Sequence, residues 1–193
     1  MAAPLRVAGL DRDLFTWVVE HRAVPFDWLF VGLSAIGQAA IVWIVLAPVL
    51  ALWARKPVVF TTLVTAATVW TADLLAVGLK AAFDRERPYE VVPTADPLLR
   101  WDVSSSLPSG HAATSAAGAF ILACLLGRFG LPLALLAVAI GFSRVYVGVH
   151  YPLDVLVGAA VGLAVGAVAA ALVRRLRPTS GDPPRSGAGP PAG

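Results

Sequence analysis

Residues 152–173 have the sequence PLDVLVGAAVGLAVGAVAAALV, and this stretch decides the fold class of the chain. Asp154 is its only charged residue and lies near its start. An α-helix needs about 20 mainly apolar residues to cross the hydrocarbon core of a bilayer. Pro152 is tolerated only in the first turn of a helix, so the helix is expected to begin near His150. The stretch therefore predicts a transmembrane helix.

Other long apolar runs precede this one. The spans predicted from them are 28–54, 58–79, 110–126 and 133–149, which gives about five crossings in all. Apolar residues make up 58% of the 193-residue chain and charged residues 14%, and the mean hydropathy is +0.77. Soluble domains are closer to one half apolar and one quarter charged. We therefore predict an all-α fold, a multi-pass transmembrane helical bundle, and exclude a soluble globule.

The two ends of the chain differ from this apolar middle. Residues 11–22 mix charges with apolar side chains and include Trp17, a pattern that favours a helix lying in the membrane interface. The C-terminal residues are mostly Pro, Gly, Ser and Arg, with almost nothing to bury. We therefore predict an N-terminal interfacial segment (1–27), a transmembrane domain (28–177) and a disordered tail (178–193).

Three polar clusters fall on the same predicted side of the membrane. They are KAAFDRERP (80–88), PSGH (108–111) and SRVYVGVHYPLD (143–154). Charged side chains and histidines are costly at membrane depth, so such residues are candidates for a functional site.

The first cluster places two cations on one helix face. Lys80 and Arg87 are seven residues apart, which is nearly two turns and roughly 10 Å along a helix axis. Pro88 disfavours helical backbone at Arg87, so the helix ends there. Two long cations at one helix end can converge on a dianion such as phosphate. The alternative is a pair of side chains that snorkel to an interface.

The second cluster predicts an anion site at the start of a helix. Ser109 is a good N-cap for the span that begins at Gly110. The N–H groups and the dipole at a helix N-terminus attract anions, and glycine lets a ligand approach the backbone. His111 would lie beside that anion, in the first turn. The alternative is an ordinary junction between a loop and a helix.

The third cluster joins a cation to a histidine–carboxylate pair. The guanidinium of Arg144 suits bidentate contact with phosphate. Asp154 lies one helical turn after His150 and can accept its Nδ1–H, which would leave Nε2 as a nucleophile. The alternative is a buried pair that only joins two helices.

Together, the three clusters resemble the signature of the type 2 phosphatidic acid phosphatase superfamily. Its motifs K-x6-RP, PSGH and SR-x5-H-x3-D all occur here, in order, between Lys80 and Asp154. The resemblance implies that His150 is the nucleophile, Asp154 its partner and His111 the acid for the leaving group. It also implies that the phosphate is held by Lys80, Arg87, Ser109, Gly110 and Arg144. The chain departs from the six-span members because its N-terminal segment is expected to be interfacial.

Asp73 is a possible supporting residue, and no metal is expected. Asp73 lies two turns before Lys80 on the same face and could pair with Lys80 or Arg144, or serve helix packing. The carboxylates of the loop 80–109 lack the tight spacing of metal ligands, and the cations of the site could neutralise a phosphate without a metal. We therefore predict neither a metal nor another cofactor.

The distribution of basic residues predicts the orientation. The basic residues predicted to lie opposite the three clusters are Arg55, Lys56, Arg128, Arg174, Arg175 and Arg177. Both sides carry similar numbers of Lys and Arg, but several on the cluster side belong to the site. Discounting these, the positive-inside rule places the opposite side in the cytoplasm. We predict a plasma-membrane protein with an extracytoplasmic active site.

The predicted function is that of an integral-membrane lipid phosphatase acting through a phosphohistidine. The expected substrate is a lipid phosphate: phosphatidate, phosphatidylglycerol phosphate, or a polyprenyl (di)phosphate such as undecaprenyl diphosphate. Membrane lipids are the other expected partners. Nucleic acid is not, because the net charge is only +3 and the basic residues are scattered. One alternative is a lipid phosphotransferase using the same site. Another is a non-catalytic lipid-binding or transport bundle, although transporters usually show broken helices in two matched halves.

Overall fold

The computed structural model describes residues 3–99 and 104–176, and every regular element in these two ranges is a helix. The predicted all-α class is thereby confirmed for the described part of the chain. The helices are α1 (Ala3–Glu20), α2 (Val24–Ile36), α3 (Ile41–Trp53), α4 (Val58–Phe83), α5 (Pro88–Val91), α6 (Gly110–Leu126), α7 (Gly130–Tyr146) and α8 (Pro152–Leu176). The predicted tail, 178–193, lies outside the described residues.

The helices are those of a membrane protein. Among the described helices, α4 and α8 are long and apolar enough to cross a bilayer alone, and α2 with α3 adds a third crossing if this bent pair is one span. The apolar helices α6 and α7 are shorter, with 17 residues each. Large apolar side chains such as Leu74, Leu163 and Val168 are exposed on the outside of the bundle, as expected for contact with lipid.

The predicted first span, 28–54, is not one straight helix. The axes of α2 and α3 meet at 60°, and between them Ala39 and Ala40 have φ angles of 50° and 60°. Such left-handed backbone costs a residue with a side chain about 1–2 kcal/mol. A Cβ added to Gly37 would lie 2.6 Å from Cγ2 of Ile140 and 3.1 Å from Cδ2 of His111. At the bend, the backbone of Gly37 therefore packs closely against α6 and α7.

Helix α6 lies at the centre of the bundle and is buried along most of its length. It packs against α4, α7 and α8. Glycines permit the closest approach, because a Cβ added to Gly162 of α8 would overlap the carbonyl oxygen of Ala113. From α3, the indole of Trp43 donates from Nε1 to Oγ of Ser115 over 3.3 Å. This packing fixes the position of the N-terminus of α6 relative to α8.

Helix α1 packs on the same end of the bundle. Its buried residues Asp11, Phe15 and Val19 recur every four residues and so form one face. The ring of Phe15 meets the ring of Tyr151 edge to face, with 5.4 Å between centroids. Trp17 is 59% exposed on another face. The helix predicted within 11–22 is thus present, and it is anchored to the loop that follows α7.

Candidate active site

A cavity of about 480 Å³ opens between the C-terminal end of α4, the N-terminal end of α6 and the loop that joins α7 to α8. Five of the predicted site residues line it: Asp73, Lys80, Gly110, His111 and His150. The three polar clusters, which are far apart in the sequence, therefore meet at one place.

His150 and Asp154 form the predicted pair at the back of this cavity. His150 is 1% exposed and Asp154 is fully buried. Nδ1 of His150 lies 3.5 Å from Oδ2 of Asp154. The same oxygen accepts the N–H of Tyr151 over 2.9 Å and the hydroxyl of Ser106. Because Nδ1 faces the carboxylate, Nε2 is the nitrogen left for chemistry in the cavity.

The surroundings of His150 keep its imidazole neutral. Burial lowers the pKa of His150 to about 4, because a charged imidazolium is poorly solvated there. The hydrogen bond to Asp154 opposes this shift, and the positive charges of Arg144 and Arg87 add to it. A neutral imidazole is the form that a nucleophilic histidine needs at physiological pH.

The Asp154 carboxylate is also held by a residue that was not predicted to act in the site. Arg85 donates from Nη1 to Oδ1 of Asp154 and from Nη2 to Oδ2 of Asp11, each over 2.6 Å. Its guanidinium carbon lies 4.1 Å from the centre of the Tyr151 ring. Burial alone would lower the pKa of Arg85, but its bonds to Asp11 and Asp154 raise it above its usual value. The sequence placed Arg85 inside the first cluster, yet only the fold shows its two partners.

The three predicted phosphate-binding cations occupy different positions. The prediction that Lys80 and Arg87 share one helix face was wrong, because α4 ends at Phe83 and the backbone of Asp84 is left-handed. Lys80 lines the cavity, and its Nζ donates to Oγ of Ser104 over 2.9 Å. Arg87 is 1% exposed and donates to the backbone oxygens of Ser104 and Val149 over 2.7 and 2.9 Å. Arg144 is 5% exposed, and its Nη1 donates to Oγ of Ser34 on α2. Arg87 and Arg144 thus lie beside His150 but do not line the cavity.

The N-terminus of α6 has the predicted cap. Oγ of Ser109 accepts the N–H of Ala112 over 3.4 Å, and the N–H of Ser109 donates to the backbone oxygen of Asp154 over 2.9 Å. A Cβ added to Gly110 would lie 3.3 Å from Oδ1 of Asp73. Asp73 therefore faces the start of α6, where the helix dipole favours negative charge.

The cavity carries charges of both signs, since Asp73 and Asp84 line it together with Lys80. Lys80 and the N-terminus of α6 border the space, and two buried guanidinium groups lie next to the histidine. In the described ranges, no three His, Cys, Asp or Glu side chains converge in the manner of metal ligands. The arrangement can therefore bind an anion and present an imidazole to it.

Comparison with known proteins identifies the family of this chain. The family model of the PAP2 superfamily matches residues 57–178. The chain is 37% identical over 145 residues to the decaprenylphosphoryl-5-phosphoribose phosphatase of Mycobacterium tuberculosis, covering 71% of this chain and 75% of that protein. It is 32% identical over 151 residues to the undecaprenyl-diphosphatase of Sulfolobus acidocaldarius, covering 78% and 72%.

Two solved structures share the fold. The first transmembrane PAP2-type phosphatidylglycerolphosphate phosphatase from Bacillus subtilis superposes with a TM-score of 0.74 at 25% identity, over 90% of this chain and 89% of that one. LpxE of Aquifex aeolicus gives a TM-score of 0.66 at 26% identity, over 81% and 92%. The predicted family is therefore confirmed: this chain belongs to the PAP2 superfamily and is a membrane lipid phosphatase.

Proposed function

We propose that this phosphatase removes phosphate from a polyprenyl-type lipid phosphate or diphosphate, with His150 as the nucleophile. The observation that carries the proposal is the single cavity lined by His150, His111 and Lys80 together with the N-terminus of α6. Oδ2 of Asp154 lies 3.5 Å from Nδ1 of His150, which suits attack by Nε2.

The proposed reaction has two steps. Nε2 of His150 attacks phosphorus in line, the bond from phosphorus to the leaving oxygen breaks, and His111 gives that oxygen a proton. His111 then takes a proton from water, the water oxygen attacks phosphorus, and the bond from phosphorus to Nε2 breaks, which releases inorganic phosphate. Lys80 and the backbone N–H groups at Gly110 neutralise the phosphoryl oxygens, the main task of a catalyst of phosphoryl transfer.

Arg87 and Arg144 are proposed to act on the same phosphate as Lys80. Both guanidinium groups lie near enough to His150 to lower its pKa. Their positive charges would attract a phosphoryl group bonded to Nε2 of His150. Ser109 completes the proposed binding set as the cap of α6. Asp73 is proposed to support the site by pairing with Lys80, which lines the same cavity.

The proposal that the substrate is a polyprenyl lipid rests on the names of the proteins that this chain resembles in sequence. Two of them are named for decaprenylphosphoryl-5-phosphoribose and undecaprenyl diphosphate, whereas one neighbour in structure is named for phosphatidylglycerolphosphate. The sequence similarity to the first two covers more than two thirds of each protein.

We further propose that the bundle crosses the plasma membrane about five times. The crossings would be the bent pair α2–α3, then α4, α6, α7 and α8, with α1 in the interface. The proposed domain limits remain 1–27 and 28–177, and the boundary between them lies one turn inside α2. The loop after α3 and the C-terminal end of α8 would face the cytoplasm, since they carry Arg55, Lys56, Arg174 and Arg175. The cavity would then open on the extracytoplasmic face.

One experiment tests substrate and nucleophile together. Purified protein is given decaprenyl phosphate, undecaprenyl diphosphate, phosphatidate and phosphatidylglycerol phosphate, and released phosphate is measured. His150→Ala should release none and form no phosphoenzyme. His111→Ala should lose about 10²–10⁴-fold in each step that needs proton transfer. With p-nitrophenyl phosphate, whose leaving group needs no proton, it should accumulate an acid-labile, base-stable phosphohistidine.

Two results would contradict the proposal in different parts. Phosphate release from the glycerolipids alone would overturn the polyprenyl substrate and leave the nucleophile in place. Full activity of His150→Ala, or a phosphoenzyme formed by that variant, would show that another group attacks phosphorus.

A further inference from the structure

We infer that Asp11 is a positioning residue for the reaction: through Arg85 it holds the Asp154 carboxylate in the orientation that faces His150. The inference rests on the proposed role of His150 as nucleophile. It assigns a catalytic contribution to α1, a helix that lies outside the family signature and outside the matched range 57–178.

Asp11 uses both of its oxygens at the base of the site. It is 5% exposed. Its Oδ1 accepts the N–H of Leu153 over 2.7 Å, and its Oδ2 accepts Nη2 of Arg85 over 2.6 Å. Leu153 directly precedes Asp154, so Asp11 fixes the first turn of α8 as well as the arginine.

Arg85 passes this constraint to the catalytic pair. Its second terminal nitrogen, Nη1, bonds Oδ1 of Asp154 over 2.6 Å, and the Tyr151 ring supports its guanidinium. With Oδ1 engaged by Arg85, Oδ2 is the oxygen that faces His150, the N–H of Tyr151 and the hydroxyl of Ser106. Rotation of the carboxylate would break several of these bonds at once.

The charge arrangement also matters for His150. One guanidinium lies between two carboxylates, so Asp11 shares the positive charge that would otherwise act on Asp154 alone. Without Asp11, Arg85 would be held at one end only and would draw more strongly on Asp154. Asp154 would then be a weaker acceptor for Nδ1–H, and the imidazole would be less well oriented.

Asp11→Asn is a nearly isosteric test. The amide oxygen can still accept the N–H of Leu153, but the amide nitrogen cannot accept a hydrogen bond from Arg85. We expect kcat to fall roughly tenfold, less than the loss of about 10⁴ seen when a carboxylate that directly orients a catalytic histidine is neutralised. KM should change less than twofold, because Lys80 and Gly110 are untouched. Asp13→Asn, the same change at an exposed position of α1, is the matched control and should keep wild-type activity.

A double-mutant cycle separates positioning from simple docking of α1. Arg85→Gln should lower kcat by itself. If Asp11 acts through Arg85, Asp11→Asn should have no further effect in the Arg85→Gln background. Additive losses, or a loss confined to KM, would overturn the inference and leave Asp11 as a structural contact.

A second readout does not depend on turnover. The chain has three histidines, so the ring nitrogens of His150 can be resolved by NMR of ¹⁵N-histidine-labelled protein in detergent, with His21→Gln and His111→Gln for assignment. Wild type and Asp13→Asn should show the Nδ1–H tautomer at His150, and Asp11→Asn a mixture of tautomers. An unchanged tautomer in Asp11→Asn would overturn the inference. Failure of the proposed function would show differently, as a wild-type protein that releases no phosphate while the tautomer still responds to Asp11.

Discussion

Replacing Gly162 with alanine should damage both the stability and the activity of this phosphatase. Gly162 lies on α8 where that helix meets the backbone of α6. The added Cβ would overlap the carbonyl oxygen of Ala113 and lie 2.9 Å from its carbonyl carbon and 3.0 Å from Cβ of Ala116. Two of these obstacles are backbone atoms of a central helix, so no side chain can rotate to make room.

The size of the effect follows from these distances. Atoms in good van der Waals contact are about 3.5 Å apart, and the shortest contact, to the oxygen of Ala113, would be 2.1 Å. Helices α6 and α8 must therefore separate by about 1 Å or more. Overpacking of this kind typically costs about 1–3 kcal/mol of unfolding free energy. The shift also reaches the site, because α6 carries His111 and α8 carries Asp154. A misplacement of about 1 Å between catalytic groups can lower a rate by as much as 10²-fold.

A graded series of glycine variants tests this reasoning. In Gly158→Ala the Cβ would overlap the backbone oxygen of Ser109, next to the site, so its effect on kcat should equal or exceed that of Gly162→Ala. In Gly166→Ala the atoms nearest to the new Cβ are side-chain atoms of Phe120 at 3.1 Å, so the losses of stability and activity should be smaller. Gly78→Ala on α4 is the control, because a Cβ there meets no neighbouring group within 4 Å. Its free energy of unfolding should rise by up to about 1 kcal/mol, since alanine favours a helix more than glycine does.

Thermal unfolding in detergent and the rate of phosphate release are measured on the same preparations. The expected order of stability is Gly78→Ala first, then wild type, Gly166→Ala and Gly162→Ala. A Gly162→Ala protein with wild-type melting temperature and kcat would show that the contact between α6 and α8 is looser than these distances require. Loss of activity in Gly78→Ala would show that the series reports a general sensitivity to substitution.

Three further predictions concern the metal, the orientation and pH. Excess chelator should leave most of the phosphate release intact; activity that is lost and then restored by magnesium would contradict a metal-independent site. In a Cys124→Ala background, a cysteine at Thr94 should react with an impermeant thiol reagent in intact cells and a cysteine at Lys56 should not; the opposite pattern would reverse the orientation. The pKa of His150 is about 4 in the folded protein and about 6.5 in the unfolded chain. As the pH falls from 6.5 to about 4, the unfolded chain binds a proton that the folded protein does not, so the free energy of unfolding decreases. Between pH 7 and pH 4 the measured free energy of unfolding should therefore decrease in the wild-type protein, and it should decrease less in His150→Gln.

The sequence predicted those parts of the molecule that depend on local pattern. The limits of α6 and the cap at Ser109 were predicted because capping is decided within a few residues. The start of α8 at Pro152 and the helix through Lys80 also depend on local chemistry. The meeting of Lys80, His111 and His150 was predicted from the resemblance to a family, and the structure brings the three side chains to one cavity.

The bend between α2 and α3 could not be predicted in this way. Residues 28–54 are apolar enough for one span, and alanine favours a helix. The left-handed backbone at Ala39 and Ala40 is stabilised by tertiary contacts, such as the fit of Gly37 against Ile140 and His111. Strain of this kind persists only where its surroundings compensate for it, and those surroundings come from α6 and α7.

Arg85 contacts two carboxylates that are far apart in the sequence, Asp11 on α1 and Asp154 on α8. Asp11 and Asp154 both lie on buried faces that repeat every four residues: Asp11, Phe15 and Val19 on α1, and Asp154, Gly158, Gly162 and Gly166 on α8. Each face packs its helix onto the bundle, and the carboxylate on each face reaches the same guanidinium. An aspartate among apolar residues is costly to bury without a partner. That cost predicts a cation for each carboxylate, and Arg85, in the polar loop after α4, contacts both. The position of the catalytic carboxylate thus depends on the packing of α1 and α8 together, which is why a change on either helix should be felt at His150.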